Sequence, residues 1–309
     1  MREPSSARRG FVVLNPTAGD GRPQRIKEIL QETPGAGQYD LYETTGEDGE
    51  SVRRVVETAV RQTPYAWVAA IGGDGTVSEV VDGLVGADVP LAIIPAGTGN
   101  ALAQELGIPR EAAAACRQLL TGAAGVRRID AIRVGDQFFV LQMGAGVEAV
   151  TLTRTGKAEK RRWGVLAYVW TAVKTAFGWQ PYRFTLTIDG REHPLYATEL
   201  VIANASRIGL LDLDWREGTA PDDGEIDVAV IRARSLADYA RITWAFVRRR
   251  PHESRHVRYF TAREAIELAA ERPLPLHGDG EPLEANWPLT AHVVPGALPV
   301  LVPSRTPTT

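Results

Sequence analysis

The sequence predicts an α/β domain built on a parallel sheet, followed by a mainly β, sandwich-like domain. Two observations carry that expectation. The first 130 or so residues alternate short β-branched runs with helical patterns, as strands joined by crossover helices do. Beyond about Arg128 the pattern changes to alternating strands punctuated by turns.

Phe11-Val12-Val13-Leu14 reads as the first strand and Arg25 to Leu30 as the helix after it. Leu41-Tyr42-Glu43 is a weaker strand. From Ser51 to Gln62, the residues Val52, Val55, Val56, Ala59 and Val60 recur at helical spacing. Trp67-Val68-Ala69-Ala70-Ile71 reads as a buried strand, and Val77, Val80, Val81, Leu84 and Val85 as one face of the next helix. Leu91-Ala92-Ile93-Ile94 is another strand, and Ala101 to Leu106 starts another helix. In the second half Phe138 to Gln142 reads as one strand. Phe184-Leu186-Ile188 and Leu200-Val201-Ile202 read as antiparallel strands, with Asp189-Gly190 as a hairpin turn. Trp163 to Phe177 and Leu236 to Arg250 read as helices, and His292 to Val302 is β-rich and broken by prolines. The expected domains are 1–128 and 129–289, with 290–303 returning to complete the first.

Composition narrows the function classes. A chain of 309 residues suits two domains at roughly 100 to 200 residues each. Its 44% hydrophobic and 24% charged residues exclude a disordered or collagen-like chain. The single cysteine, Cys116, excludes an internal disulfide and a Cys-based zinc cluster, and suits a reducing compartment. It reads as a small buried thiol on a helix. A net charge of −3 argues against a nucleic-acid binder. That total hides two local basic runs. One holds Arg154, Lys157, Lys160, Arg161 and Arg162 against Glu159; the other, from Arg241 to Arg258, holds six arginines against Glu253. Each is either a solvated helix face or a basic surface for anionic lipid headgroups. The start of the chain has no signal-peptide pattern. The longest apolar stretch, Trp163 to Val173, has about 11 residues where a membrane span needs about 20. A cytoplasmic protein, soluble or peripheral to the inner face of the membrane, is expected.

Three turns carry the chemistry: Asn15-Pro16-Thr17-Ala18-Gly19, Gly72-Gly73-Asp74-Gly75-Thr76, and Pro95-Ala96-Gly97-Thr98-Gly99-Asn100. In a parallel sheet the C-terminal ends of the strands share one edge, so these turns can meet at one crevice. Glycine lets backbone N–H groups approach phosphate oxygens, and a following helix N-terminus adds positive potential. Neither a Walker A lysine nor a clean Gly-x-Gly-x-x-Gly is present. Thr76 with Glu79 fits a capping box. Asp74 would repel a bare pyrophosphate, so its place in such a loop suggests a divalent cation between the two.

Together with Arg128-Ile129-Asp130, Gly144-Ala145-Gly146, Trp163-Gly164-Val165-Leu166-Ala167-Tyr168 and Asp279-Gly280-Glu281, these motifs resemble the diacylglycerol kinase and sphingosine kinase family of lipid kinases, in its stand-alone bacterial form. The resemblance implies an NAD kinase/phosphofructokinase-like nucleotide domain and transfer of the γ-phosphoryl of Mg-ATP to a lipid hydroxyl. Diacylglycerol and a sphingoid base are both candidate acceptors. By resemblance Gly72, Gly73, Asp74, Gly75, Thr76, Val77 and Ser78 wrap the ATP phosphates. Asn15, Gly19, Arg22, Thr45, Gly97, Thr98, Asn100 and Glu281 complete the nucleotide contacts. Asp279 matches the family's proton acceptor, and Asp74 and Asp130 match acidic positions that hold the catalytic Mg2+. Asp223, with the carbonyls of Ala220 and Glu225, falls where relatives place a structural magnesium.

The sequence also departs from the family. Asp20 stands where relatives often have a basic residue, with Arg22 nearby to supply the charge, and Gly209 to Pro221 lacks the family's Gly-Gly-Gly. Ala101-Leu102-Ala103 after Asn100 leaves the lipid undecided. Trp163, Val165, Leu166, Tyr168, Val169, Trp170, Val173 and Phe177 cover more than one helix face, which suits core or contact with acyl chains. His193, His252, His256, His277 and His292 show no ligand spacing, and His277 lies near Asp279. The partners expected are a lipid alcohol, an anionic membrane surface and a second copy of the chain, not nucleic acid. Two other readings stand beside the lipid kinase: an NAD kinase-like enzyme acting on a soluble dinucleotide, and a nucleotide-sensing regulator without turnover.

Overall fold

The computed structural model describes residues 9–18, 22–33, 38–45, 51–120, 124–146, 181–205, 219–248 and 250–304. The expected helix Trp163 to Phe177, the basic run Arg154 to Arg162, and Gly19, Asp20 and most of Gly209 to Pro221 lie outside the described residues. The chain divides into two compact units: Met1–Ile129 with Gly296–Thr309, and Asp130–Pro295.

The first unit alternates strand and helix: β1 (Gly10–Leu14), α1 (Arg22–Glu32), β2 (Tyr39–Glu43), α2 (Val52–Gln62), β3 (Trp67–Gly72), α3 (Asp74–Leu84), β4 (Leu91–Pro95), α4 (Ala101–Glu105) and α5 (Ala112–Leu120). Its strands lie in the order β2-β1-β3-β4, all parallel. Every residue of β1, β3 and β4 is buried, as unbroken apolar runs in a sheet covered on both faces should be. The weaker β2 is the edge strand and leaves Leu41 exposed. Helices α2 and α3 meet at Gly83, where a Cβ would come within 2.6 Å of the Arg53 carbonyl oxygen. Cys116 lies buried on α5, and burial pushes its thiol up to about 12, so it is an unreactive core residue. After β1 the chain steps to one side, and after β2 it returns past β1 to β3. The crevice at the C-terminal ends of β1 and β3 is therefore a topological switch point, where open α/β sheets bind ligands.

The second unit is antiparallel. Leaving the first unit along β5 (Gly125–Val134), the chain forms β6 (Gln137–Phe139), β7 (Gln142–Gly146), β8 (Tyr182–Ile188), β9 (Arg191–Ala197), β10 (Glu199–Ala203) and β11 (Ile226–Ile231). Then come α6 (Leu236–Val247), a 3-10 turn at Pro251–Glu253, β12 (Val257–Ala262), β13 (Ala265–Ala270), β14 (Leu276–Gly278), β15 (Glu281–Leu283) and β16 (Leu289–Val302). One sheet runs β12-β11-β10-β7-β14-β15; in the other, β16, β13, β8 and β9 pair in turn. Phe184, Leu186 and Leu268 pack with Leu200, Ile202 and Val228 in the core of this β-sandwich. Ile242 and Phe246 of α6 pack with Val201, Ala229 and Ile231 in a second cluster.

Several local expectations need correction. Phe138 to Gln142 is not one strand: β6 ends at Phe139 and β7 begins at Gln142, because the N–H groups of Val140 and Leu141 turn to the Asp279 carboxylate. His292 to Val302 is not broken by its prolines. It lies within a single strand of 14 residues that bends at Gly296 (φ 58°) and ends beside β4, where Val300 pairs with Leu91. Helix α6 stops at Val247 rather than Arg250. Thr76 and Glu79 do not form a capping box. Gly73 holds the N-cap position, Thr76 is already inside α3, and its hydroxyl accepts a hydrogen bond from Asn15.

The β8–β9 hairpin turns at Asp189 (φ 46°) and Gly190 (φ 81°), and the Asp189 carboxylate accepts the N–H groups of Arg263, Glu264 and Ala265 at 2.9 to 3.0 Å. Burial raises the Asp189 pKa, but the N–H donors of Arg263, Ala265 and Glu264 outweigh it and hold the group below the usual carboxylate range. A lowered folded-state pKa contributes stability above the unfolded value of about 3.9, which is lost as the pH falls through the folded value. Asp189→Asn is therefore expected to cost about 1 kcal/mol at neutral pH. The difference from the native chain should close as the solution is acidified below about pH 4. Urea unfolding at a series of pH values measures both; a gap that stays constant into acid contradicts the assignment.

Candidate nucleotide and catalytic site

The three glycine turns follow β1, β3 and β4, which are neighbours in the sheet, and hydrogen bonds join them. The Asn15 side chain closes its own turn by accepting from the N–H and hydroxyl of Thr17 (3.0 and 2.8 Å), and its Nδ2 donates to Thr76 Oγ1 at 3.2 Å. That bond bridges the β1 and β3 sides of the switch point. The Gly72 carbonyl accepts the N–H groups of Ala96 and Gly97, at 2.9 and 3.2 Å. Glycine is required where the turns touch. A Cβ on Gly97 would lie 2.5 Å from the Gly73 Cα, and one on Gly99 would overlap Asp74 Oδ2. Asn100 adopts the left-handed conformation (φ 52°) and binds Gly97 from both sides, accepting its N–H at 3.2 Å and donating to its carbonyl at 2.7 Å. Gly75 faces open space instead: a methyl group there would have nothing within 4 Å.

Asp74 has a structural partner that the sequence could not reveal. Its two carboxylate oxygens accept the N–H groups of Asn100 (2.9 Å) and Ala101 (2.6 Å), so the first residue of α3 caps the start of α4. The negative charge that implied a cation is thus met in part by backbone dipoles. Asn15, Gly72, Gly73, Asp74, Thr76, Gly97 and Asn100 are brought together by these contacts. Thr45 and Thr98 are exposed just beyond β2 and β4, Ser78 is half-buried on α3, and Arg22 opens α1. The Val77 side chain belongs to the core and leaves only its backbone to offer.

A second polar network lies within the other unit. Asp279 sits in the β14–β15 turn at φ 46° with Gly280 at φ 85°, and is 8% exposed. Its Oδ2 accepts the N–H of Val140 at 3.0 Å; its Oδ1 accepts those of Leu141 and Gln142 at 3.0 and 2.9 Å. Its own N–H donates to the Gln142 carbonyl at 2.8 Å. Asn204, fully buried, donates from Nδ2 to the carbonyls of Val140 (3.0 Å) and Asp130 (2.8 Å). Asp130 in turn accepts the N–H of Gly224 at 2.7 Å and donates its N–H to the Pro221 carbonyl at 2.6 Å. Asp223 closes the same turn by accepting from Glu225 N at 2.9 Å and Ala220 N at 3.3 Å. Burial lifts Asp223 above the ordinary carboxylate range; those N–H groups pull against it, and the carboxylates of Glu225 and Asp130 add to the rise. Glu281 is exposed at the start of β15.

Sequence reading did not single out Asn204, although a lone polar residue directly after the apolar run Leu200 to Ala203 is a signal for it. It also missed Glu199, which is buried with its Oε1 3.9 Å from Nε2 of the fully buried His277. The Gly144-Ala145-Gly146 motif makes room for this pair: His277 lies opposite Gly144 and Glu199 opposite Gly146 on the two strands flanking β7. A Cβ on Gly144 would stand 2.7 Å from His277 Nε2. No group of three or more His, Cys, Asp and Glu side chains that could hold a metal occurs among the described residues.

Comparison with known proteins places both units in one family. A model of the diacylglycerol kinase catalytic domain matches residues 9–134, and one of the YegS C-terminal NAD kinase beta sandwich-like domain matches residues 142–302. A diacylglycerol kinase of Bacillus subtilis is 28% identical over 282 residues, covering 89% of this chain and 90% of its own. A protein of Chromohalobacter salexigens described as a probable YegS-like lipid kinase is 29% identical over 287 residues, covering 90% and 88%. The fold matches that of a crystal structure of a diacylglycerol kinase from Bacillus anthracis with a TM-score of 0.78, at 21% identity over 97% of this chain and 98% of that one. Since the two matches follow one another and leave little of the chain unassigned, the chain belongs to the family of diacylglycerol kinases and YegS-like lipid kinases.

Proposed function

We propose that the chain transfers the γ-phosphoryl group of ATP to the hydroxyl of a lipid alcohol, diacylglycerol being the acceptor named for the Bacillus subtilis relative. Membership of a kinase family implies phosphoryl transfer from ATP. The observation that carries the reading is the open space over Gly75 at the N-terminus of α3, walled by turns held glycine against glycine. Phosphoryl transfer asks a protein chiefly to position its reactants and neutralise their charge. The first turn of α3 offers unpaired N–H groups and positive potential, and Gly75 lets a phosphate come close to them.

Magnesium fits the residues in one form. Asp74 would hold it in the first unit; in the second, Asp130 and Asp223, with the carbonyls of Ala220 and Glu225, form an oxygen-rich turn that would hold another ion. With no cluster of three acidic side chains among the described residues, they suit an ion completed by phosphate and water rather than a cage made by protein alone. Bound there, it would offset the phosphate charge. Asp279 is held by three N–H groups in one orientation, the property wanted of a carboxylate that must orient an acceptor hydroxyl and take its proton. Asn204 positions that cradle from behind. The two relatives named above are described as a diacylglycerol kinase and a probable lipid kinase, which supports a lipid acceptor over a soluble dinucleotide; turnover of any alcohol separates an enzyme from a nucleotide-sensing regulator.

Two variants at glycine separate use from structure. Gly75→Ala adds a methyl in open space inside a helix, so the unfolding free energy should hold or rise by up to about 1 kcal/mol. ATP affinity, read by titration calorimetry, should fall roughly tenfold or more. Gly97→Ala drives a methyl into Gly73 and should lower stability by about 1 to 3 kcal/mol as well. If Gly75→Ala binds ATP as the native chain does, the phosphate does not lie there.

At Asp279, asparagine keeps one oxygen for two of the three donors and turns an amino group on the third. Asp279→Asn should therefore lose about 1 to 3 kcal/mol of stability, and turnover of diacylglycerol should fall by roughly a hundredfold or more. Asp189→Asn, which alters the same kind of turn, should leave turnover within a few-fold of native. A folded Asp279→Asn protein that still phosphorylates lipid at the native rate would sink the assignment.

A further inference from the structure

Outside both networks, α6 and the segment after it border an open pocket of about 330 Å³. Arg241, Arg248, Arg250 and Arg255 line it together with Trp244 and one carboxylate, Glu253. The fate of each charge matters. Arg241 pairs with Asp238 at 3.0 Å and Arg250 with Glu253 at 3.2 Å. Arg255 donates to His256 Nε2 at 3.3 Å, which itself lies 3.7 Å from Asp238. Arg248 meets no carboxylate among the described residues and stacks over the Trp244 ring, 5.2 Å from its centroid. Two arginines are thus neutralised within the protein and two are not, leaving the pocket positive.

Trp244 is the second observation. On the same helix Ile242 and Phe246 are buried, yet Trp244 is 59% exposed beside the arginine pocket. A tryptophan held outward next to arginine is the arrangement that settles at the headgroup level of a bilayer, the ring among acyl-chain ends and the guanidinium at phosphate. Arginine's planar fork also matches phosphate oxygens in a way that a point charge does not. We propose that this pocket seats the phosphate of an anionic phospholipid at a membrane surface. A site for a soluble anion has no use for an outward apolar ring, and one local pocket is not the extended basic face along which a nucleic-acid backbone is bound. The proposal stands apart from the kinase reading, because binding to vesicles requires neither ATP nor turnover.

The test is sedimentation of the full chain with phosphatidylcholine vesicles, with and without phosphatidylglycerol. The native chain binds the anionic vesicles and leaves the neutral ones. Trp244→Ala and Arg248→Ala, both changes at exposed positions, each lower that binding about fivefold, and the pair lowers it further. Melting by circular dichroism shows both variants folded, and each phosphorylates short-chain diacylglycerol dispersed as monomers at the native rate. Equal binding to both kinds of vesicle, or a double variant that binds as the native chain does, overturns the proposal. So does saturable binding of inorganic phosphate, or retention on RNA, that depends on these two residues while vesicles are ignored. Kinase failure with intact vesicle binding, and the converse, point to different parts of the molecule.

Discussion

Backbone N–H groups left over where strands and helices stop are the constraint around which this molecule is arranged, and aspartate carboxylates answer them. A buried donor without an acceptor costs about 1 to 3 kcal/mol, so each such loop needs an oxygen from elsewhere. Asp74 supplies it to the start of α4, Asp130 and Asp223 to the turn at Gly224, Asp189 to the β12–β13 turn and Asp279 to the gap between β6 and β7. In each case the carboxylate comes from a residue distant in sequence or from the far side of a turn, so the loops are fixed relative to the elements they join. Preorganised loops are what phosphoryl transfer requires, since positioning supplies most of its rate.

The same constraint explains what could be read in the sequence. The parallel half was legible because buried strands appear as unbroken apolar runs and the helices between them repeat valine at helical spacing. The gap at Val140 and Leu141 was not, because its cause lies at Asp279, across the length of the second unit. Local pattern likewise suggested a capping box at Thr76 and Glu79, whereas the side chain of Asn15, in the turn after β1, claims the Thr76 hydroxyl. At Asp74 sequence displayed the charge and concealed the N–H groups of Asn100 and Ala101 that meet it in part.

Asp189 and Asp279 make the limit concrete. Both are Asp-Gly turns with the aspartate at φ 46°, and both carboxylates hold three consecutive N–H groups of a neighbouring segment. One is exposed and the other 8% exposed. Geometry alone gives the two the same part in the fold; burial and the Asn204 network set the second apart. The basic run from Arg241 to Arg258 follows a similar course. A near-neutral total said little, but placing four arginines and an outward tryptophan around one pocket turned a statistic into a surface with a chemistry.

The cradle of Asp279 also bears on how this family can change. The atoms that aim the carboxylate are the atoms that close the break between two strands, so under the proposed role the residue would answer to selection twice. A relative without that activity would still lose stability by replacing the aspartate. Presence of this residue therefore attests an intact sandwich first, and the proposed activity is better judged at positions such as Gly75, where the fold itself would accept a side chain.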